Sequence, residues 1–198
     1  MMKVVDPYIW ERKNSFTDEF CDKLISKFEE NPGDLKIKGK VGGGTKEEVK
    51  NTWDIYLDDK HWGDEDKTIC KILTDSIFEY ASYLKEHDSR LDPFNSVIDF
   101  RDSGYNLQMY EPNKGFYTWH DDYRFEKELG SRILTFMWYL NTVEEGGQTE
   151  FSNGIKLNAE KGKLVMFPST WTYTHRGCIP ISNSKYILTG WIYNGWKE

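Results

Sequence analysis

Arg132-Ile133-Leu134-Thr135-Phe136-Met137-Trp138-Tyr139-Leu140 is apolar at almost every position. Read with the two-residue repeat of a strand, Ile133, Thr135, Met137 and Tyr139 face one way, and Leu134, Phe136, Trp138 and Leu140 face the other. Both faces are mainly apolar, so the run predicts a central strand covered by protein on each side. Around it, from Arg101 onward, lie further short runs of β character: Tyr105 to Tyr110, Gly154 to Leu157, Lys163 to Phe167, Trp171 to His175 and Lys185 to Tyr193. Gly, Asn, Pro and Ser turns separate them. Upstream the period changes. Phe16, Phe20, Leu24, Ile25 and Phe28 have helical spacing, with Ser15 and Asp18 placed as a capping box and Asn31-Pro32-Gly33 as the stop. Ile69, Ile72, Leu73, Ile77, Tyr80 and Leu84 predict a second helix from about Asp64 to Glu86. Helices first and short strands later predict an α+β fold, a barrel or two-sheet jelly roll with supporting N-terminal helices. The expected organisation is a single domain over 1–198, with helical support over about 1–100 and the β core over about 101–198. Between the helices, Lys38-Gly39-Lys40-Val41-Gly42-Gly43-Gly44-Thr45 lacks the Gly-Lys-Ser/Thr ending of a phosphate loop and reads as a mobile loop, either a plain connection or a lid over substrate.

Composition narrows the partners. Eight Trp, twelve Tyr and eleven Phe favour a packed globular fold and an aromatic-lined pocket. A formal charge of −7 provides no positive field for nucleic acid or an anionic membrane, so neither is an expected partner. Cys21, Cys70 and Cys178 are far apart and odd in number, which disfavours a disulfide framework or a thiolate zinc site. Met1 to Pro7 contains Asp and Pro before any apolar stretch develops. A soluble, cytoplasmic protein is expected.

The chain has four histidines, and His120 and His175 are the two that fall in its β-rich half. In Trp119-His120-Asp121-Asp122, strand alternation puts His120 and Asp122 on one side and turns Asp121 away. His175 is the histidine left to complete a set of two imidazoles and one carboxylate, which suits Fe(II) while leaving adjacent positions open for a chelating co-substrate and O₂. Acidic residues occupy about one position in six, so a His-x-acid pair alone is weak and the surroundings must carry the assignment. Lys185 stands ten positions after His175, at the head of a strand on which Ile187, Thr189 and Trp191 share its face. An inward ammonium needs an anion, and the carboxylate of a bound ligand is a natural partner; a lysine at the solvent edge of a strand is the plainer alternative. Tyr110 and Tyr139 would each offer a phenol to a pocket wall, or else bond to backbone in the core.

These residues resemble the 2-oxoglutarate- and Fe(II)-dependent oxygenases of the prolyl 4-hydroxylase type, over roughly Tyr105 to Tyr193. The resemblance is carried by Leu107-Gln108-Met109-Tyr110, His120-x-Asp122, Arg132-x-x-Thr135-x-x-x-Tyr139-Leu140-Asn141 and Gly146-Gly147-Gln148-Thr149-Glu150-Phe151. Gly162-x-x-x-Met166-Phe167-Pro168, His175, Lys185 and Trp191 complete it. It implies a double-stranded β-helix (a cupin-like jelly roll) with His120, Asp122 and His175 as iron ligands. It further implies Lys185 on the distal carboxylate of 2-oxoglutarate, with Tyr110, Tyr139, Thr149 and Trp191 helping to hold that co-substrate. Arg132 and Trp191 resemble the positions that meet the peptide in prolyl hydroxylases. The implied reaction hydroxylates a C–H bond with release of succinate and CO₂, and the implied cofactor set is Fe(II), 2-oxoglutarate and O₂, with ascorbate to restore oxidised iron. One departure is Ser152-Asn153-Gly154 after Phe151, where family members often have proline; it alters a turn and leaves the metal set intact. The expected substrate is a prolyl residue in a peptide or protein. Alternatives are a free amino acid or other small molecule, a non-catalytic jelly-roll module binding sugar or peptide, and a phosphohydrolase using His120-Asp121, which a β setting disfavours.

Overall fold

The computed structural model describes residues 6–91 and 100–195; Met1 to Val5, part of the stretch read above for a leader, lie outside them. Strand β1 (Trp10–Arg12) precedes helix α1 (Asp18–Glu30), then come β2 (Ile37–Lys38), β3 (Lys40–Val41), β4 (Gly44–Thr45), β5 (Lys50–Asn51), β6 (Trp53–Tyr56) and helix α2 (Asp59–His87). The second half contributes β7 (Phe100–Asp102), β8 (Asn106–Tyr110), β9 (Phe116–His120), β10 (Phe125–Glu126), β11 (Gly130–Tyr139) and β12 (Thr149–Phe151). It ends with β13 (Lys156–Leu157), β14 (Leu164–Pro168), β15 (His175–Gly177) and β16 (Lys185–Asn194).

The strands form a large antiparallel sheet, β1-β14-β11-β16-β8-β6-β2 with β7 and β10 alongside, and a smaller one, β13-β12-β15-β9-β5. This is the two-sheet sandwich of a double-stranded β-helix, with both helices packed on the outer face of the large sheet. The alternation read on β11 explains that placement. Leu134, Phe136, Trp138 and Leu140 join Leu24, Phe28, Trp62, Ile69 and Leu73 in the helix-side core. Met137 and Tyr139 join Val165, Phe167 and Ile187 in a second core between the sheets. Ile133 departs from the expected alternation. The pairing of β11 with β16 shifts between Arg132 and Leu134, a bulge that leaves Ile133 against the helix-side core and brings Arg132 round to the sandwich side.

The first helix begins later than the capping box predicts, because Ser15 is engaged elsewhere. Its hydroxyl accepts the Trp138 indole N–H at 3.0 Å, and Phe16 stacks on Trp138 with ring centroids 4.5 Å apart. Thr17 is the cap instead, accepting the Phe20 N–H, and Asn31 in the left-handed region (φ 50°) ends the helix. The second helix begins earlier than predicted: Asp58 accepts the His61 N–H at 2.7 Å, which adds a turn carrying the buried Trp62. The glycine-rich stretch is a hairpin, not a loop, because Gly42 (φ 55°) and Gly43 (φ 90°) supply the two left-handed residues of its turn. Among the described residues no helix is long and apolar enough to cross a membrane.

On β16, a side chain at Gly190 would meet the Phe136 ring and, at 2.6 Å, the Gly104 carbonyl oxygen. Gly190→Ala is expected to destabilise the fold by about 1–3 kcal/mol, read as a lowered urea midpoint with an unchanged slope.

Candidate active site

The pocket opens between the two sheets, so its walls come from strands whose inward faces were set by the core. β9 and β15 pair with His120 directly opposite His175, and the register then slips, so that Gly177 faces Tyr117. The extra residue on β9 turns both Tyr117 and His120 inward. β9 ends at His120, and Asp122 follows in irregular backbone. Strand alternation therefore accounts for His120 but not for Asp122, which lies beyond the strand. The Trp171 to His175 run also differs from expectation: Trp171–Tyr173 is a short 3-10 turn, and His175 opens a strand.

One ligand atom from each of His120, Asp122 and His175 lies within 4.8 Å of the others. His120 Nε2 is 3.8 Å from Asp122 Oδ1, and His175 Nε2 is 3.7 Å from Oδ2. The opposite ring nitrogens are used in the same way on both histidines. His120 Nδ1 lies 2.8 Å from the Thr118 carbonyl and His175 Nδ1 lies 3.0 Å from the Tyr173 carbonyl, so each Nδ1 carries the hydrogen and each Nε2 keeps a free lone pair. Burial, helped by neighbouring His175, pushes His120 down to about 4, so its imidazole is neutral at physiological pH. Burial opposes the charge on Asp122, but the imidazoles of His175 and His120 and the Thr135 hydroxyl outweigh it and hold the carboxyl below its ordinary range. Two imidazoles and a carboxylate on one side of a cavity are a donor set that suits a facial Fe(II) site.

Deeper in the same cavity, Lys185 is 1% exposed. Its ammonium donates to the Gly147 carbonyl at 3.0 Å and stands 4.1 Å from the Tyr110 ring centre. Among the described residues it forms no ion pair, and burial pushes its pKa down to about 8. A buried cation facing a cavity, with one carbonyl and one aromatic face for company, fits the far carboxylate of a dicarboxylate ligand. Tyr110 and Thr149 line the cavity with it. Tyr139 stands one layer back from where it was expected: its hydroxyl donates to Thr149 at 2.7 Å, so it props the cavity wall. Trp191 lines the cavity with a buried indole N–H directed at the Asp122 carboxylate, though without a hydrogen bond of normal geometry among the described residues. Arg132 stacks 3.6 Å over the Trp191 ring and donates to the Tyr193 hydroxyl at 2.8 Å. The bulge thus brings Arg132 against Trp191, next to the cavity but not among the residues that line it.

Tyr117, Lys50 and Asp54 have no counterpart in the sequence reading, and Phe167 is read there only as part of a strand and a motif. Tyr117 stacks on His120 with centroids 3.5 Å apart, and the Lys50 ammonium lies 5.4 Å from the centre of the Tyr117 ring. Lys50 is paired at 2.6 Å with the fully buried Asp54, which also accepts from Thr52 and Asn106. Phe167 meets His175 edge-on at 5.0 Å. The signal that could have found the first pair is the charge alternation Lys50-x-x-x-Asp54 in a run that is otherwise strand-like.

Residues 105–193 match the 2OG-Fe(II) oxygenase superfamily. A probable prolyl 4-hydroxylase from Arabidopsis thaliana is 25% identical over 210 residues, covering 90% of this chain and 66% of its own. Prolyl 4-hydroxylase 5 of the same plant is 22% identical, with 96% and 71% covered. The chain therefore spans about two thirds of the length of these relatives. Two solved structures share the fold. A viral collagen prolyl hydroxylase from Paramecium bursaria Chlorella virus-1, in complex with 2-oxoglutarate, gives a TM-score of 0.66 at 18% identity, with 94% of this chain and 96% of that one covered. A Trichoplax adhaerens prolyl hydroxylase in complex with a hypoxia inducible factor peptide fragment gives 0.70 at 15% identity, with 95% and 84% covered. Fe(II), 2-oxoglutarate and O₂ are the cofactor and co-substrates of this family, and the donor set and buried lysine described above fit them. Residues 105–193 are thus similar to the 2OG-Fe(II) oxygenase superfamily, on a fold shared with solved prolyl hydroxylases.

Proposed function

We propose that this chain hydroxylates a prolyl residue in a peptide or protein, binding Fe(II) through His120, Asp122 and His175 and 2-oxoglutarate through Lys185. The observation that carries the proposal is the buried Lys185 ammonium, without an ion pair among the described residues, sharing one cavity with the His-Asp-His set. Iron, 2-oxoglutarate and O₂ together supply an oxidant that inserts one oxygen atom into a C–H bond while the co-substrate loses CO₂ to become succinate.

The protein's part is orientation and exclusion of water. The two Nδ1–H···O=C bonds fix the planes of both imidazoles and aim their Nε2 lone pairs at one point. Lys185, Tyr110 and Thr149 fix the dicarboxylate at its far end, and the Tyr139 to Thr149 bond keeps the Thr149 hydroxyl turned toward it. Beside the cavity, Arg132 is braced by Trp191, Tyr193, the Asp122 carbonyl and Glu126, which leaves guanidinium hydrogens for a peptide carbonyl.

The test is incubation with proline-rich peptides and, separately, with free proline, followed by mass spectrometry for the gain of one oxygen. Oxygen gained by a peptide supports the proposal. Oxygen gained only by free proline moves the substrate to small molecules, and no gain with either removes proline as the target. With an accepted peptide, Arg132→Ala is expected to raise its KM by roughly 10- to 100-fold while leaving 2-oxoglutarate affinity unchanged, because a braced guanidinium at a peptide-binding mouth is worth about 1–3 kcal/mol.

A further inference from the structure

Asp122 has a second partner besides the histidines. The Thr135 hydroxyl donates to its Oδ2 at 2.9 Å, and the Ser169 hydroxyl lies 2.9 Å from the same Thr135 oxygen. Thr135 is 3% exposed and Ser169 is 1% exposed, so neither hydroxyl exchanges these bonds for water. An ionised carboxylate can only accept. The single hydroxyl hydrogen of Thr135 is committed to Asp122, so Ser169 must be the donor to Thr135. The direction of the chain is therefore determined: Ser169 to Thr135 to Asp122.

The fold builds this chain from two strands. Thr135 pairs with Phe167 and Leu134 with Pro168 across β11 and β14, which sets Ser169, the residue after β14, beside Thr135. The Ser169 N–H donates to the Ile133 carbonyl at 3.2 Å, anchoring the backbone on which its hydroxyl turns. With the Thr135 hydrogen on Oδ2, Oδ1 is the carboxylate oxygen turned to His120 Nε2, 3.8 Å away.

Resting on the iron-site reading above, we infer that Thr135 and Ser169 are positioning residues that hold Asp122 as a one-oxygen ligand, leaving the coordination positions beside it open for the co-substrates. Loss of Thr135 would free the carboxylate to rotate or to engage a metal through both oxygens. Either change alters metal affinity and the number of open positions before any turnover takes place.

The experiment titrates Co(II), a visible-absorbing stand-in for Fe(II), into metal-free protein without oxygen or 2-oxoglutarate. It compares the native chain with Thr135→Val, Thr135→Ser and Ser169→Ala, each first checked for native thermal unfolding. Thr135→Val keeps the shape of the side chain and removes the donor, and is expected to weaken Co(II) binding by roughly 10- to 100-fold and shift its absorption bands. Thr135→Ser keeps the donor and restores both to near the native values. Ser169→Ala leaves the donor but not its orientation, and gives a smaller loss in the same direction. Folded Thr135→Val or Ser169→Ala proteins with native Co(II) affinity and spectrum would overturn the inference. If Thr135→Val fails to fold, Ser169→Ala decides by itself. Absence of Co(II) binding by the native chain would instead sink the iron-site reading on which the inference rests.

Discussion

His175→Ala is expected to abolish stoichiometric Fe(II) binding and to lower succinate formation by roughly a thousandfold or more, about 4 kcal/mol at 1.4 kcal/mol per factor of ten. Three ligands are the minimum for a facial site, and among the described residues no other His, Cys, Asp or Glu joins the cluster to substitute for one. The fold should survive the change. His175 opens a strand whose register is fixed by the Thr149–Gly177 and Glu150–Arg176 pairings as well as by its own, and deleting the ring leaves a cavity bounded by Phe151 and Phe167. The expected cost is about 2–4 kcal/mol of stability, in line with the loss of a buried aromatic ring. Anaerobic titration of 2-oxoglutarate into the Fe(II)-loaded native chain should develop a visible band that this variant lacks. A variant that keeps the band would remove His175 from the ligand set.

Lys185→Met is expected to act in opposite directions on stability and on co-substrate binding. Burial lowers the folded-state pKa to about 8 from an unfolded value near 10.5, so between those limits the unfolded chain binds more protons and stability rises with pH. Below about pH 8 the full penalty of a buried ammonium is present, on the order of 3 kcal/mol at about 1.4 kcal/mol per tenfold change in proton affinity. The methionine variant should therefore be the more stable ligand-free protein at neutral pH, by roughly 1–3 kcal/mol, and its advantage should shrink as pH rises past 8. Its Kd for 2-oxoglutarate should rise roughly 100-fold or more, since losing one partner of a buried charge pair costs about 2–5 kcal/mol. In the native chain the same lysine makes that Kd flat below about pH 8 and about tenfold weaker for each pH unit above it, until the complexed lysine itself titrates. Calorimetric titration at about pH 7 and about pH 9 reads this directly; an unchanged Kd would mean that the ligand does not depend on the ammonium.

Legibility in the sequence followed how far apart the interacting residues lie. β11 was readable because both of its faces are apolar over one uninterrupted run, and the triad because histidine is rare in this chain. Lys185 was readable as an inward cation because the strand around it is otherwise apolar. The bulge after Arg132 was not, since it is a property of the β11 and β16 pairing and not of either run alone. β5 and β6 were missed because the residues they turn inward include Lys50 and Asp54, which reverses the usual apolar-in pattern. Trp171-Thr172-Tyr173-Thr174 has the composition of a strand. Its backbone instead turns, with the Thr174 hydroxyl donating to the Trp171 carbonyl at 2.8 Å, a local bond that competes with sheet pairing. Ser169 and Thr135 are ordinary small polar residues in sequence and acquire a direction only when β14 lies against β11.

β1 pairs with β14 through Trp10–Met166 and Arg12–Leu164, while Ser15 reaches across to Trp138. An early strand of the chain thus waits for residues synthesised near its end. Contacts of such long sequence separation slow folding, since loop-closure entropy must be overcome before they form. On the ribosome the helices can form early, but the large sheet cannot take its edge strand until residue 168 has emerged. His175 and Lys185 emerge later still, so the redox chemistry cannot begin until nearly all of the sheet is available to enclose it. On the function proposed above, the order of synthesis is itself a safeguard: a chain made only as far as β14 has neither the complete metal set nor the lysine proposed to hold the co-substrate.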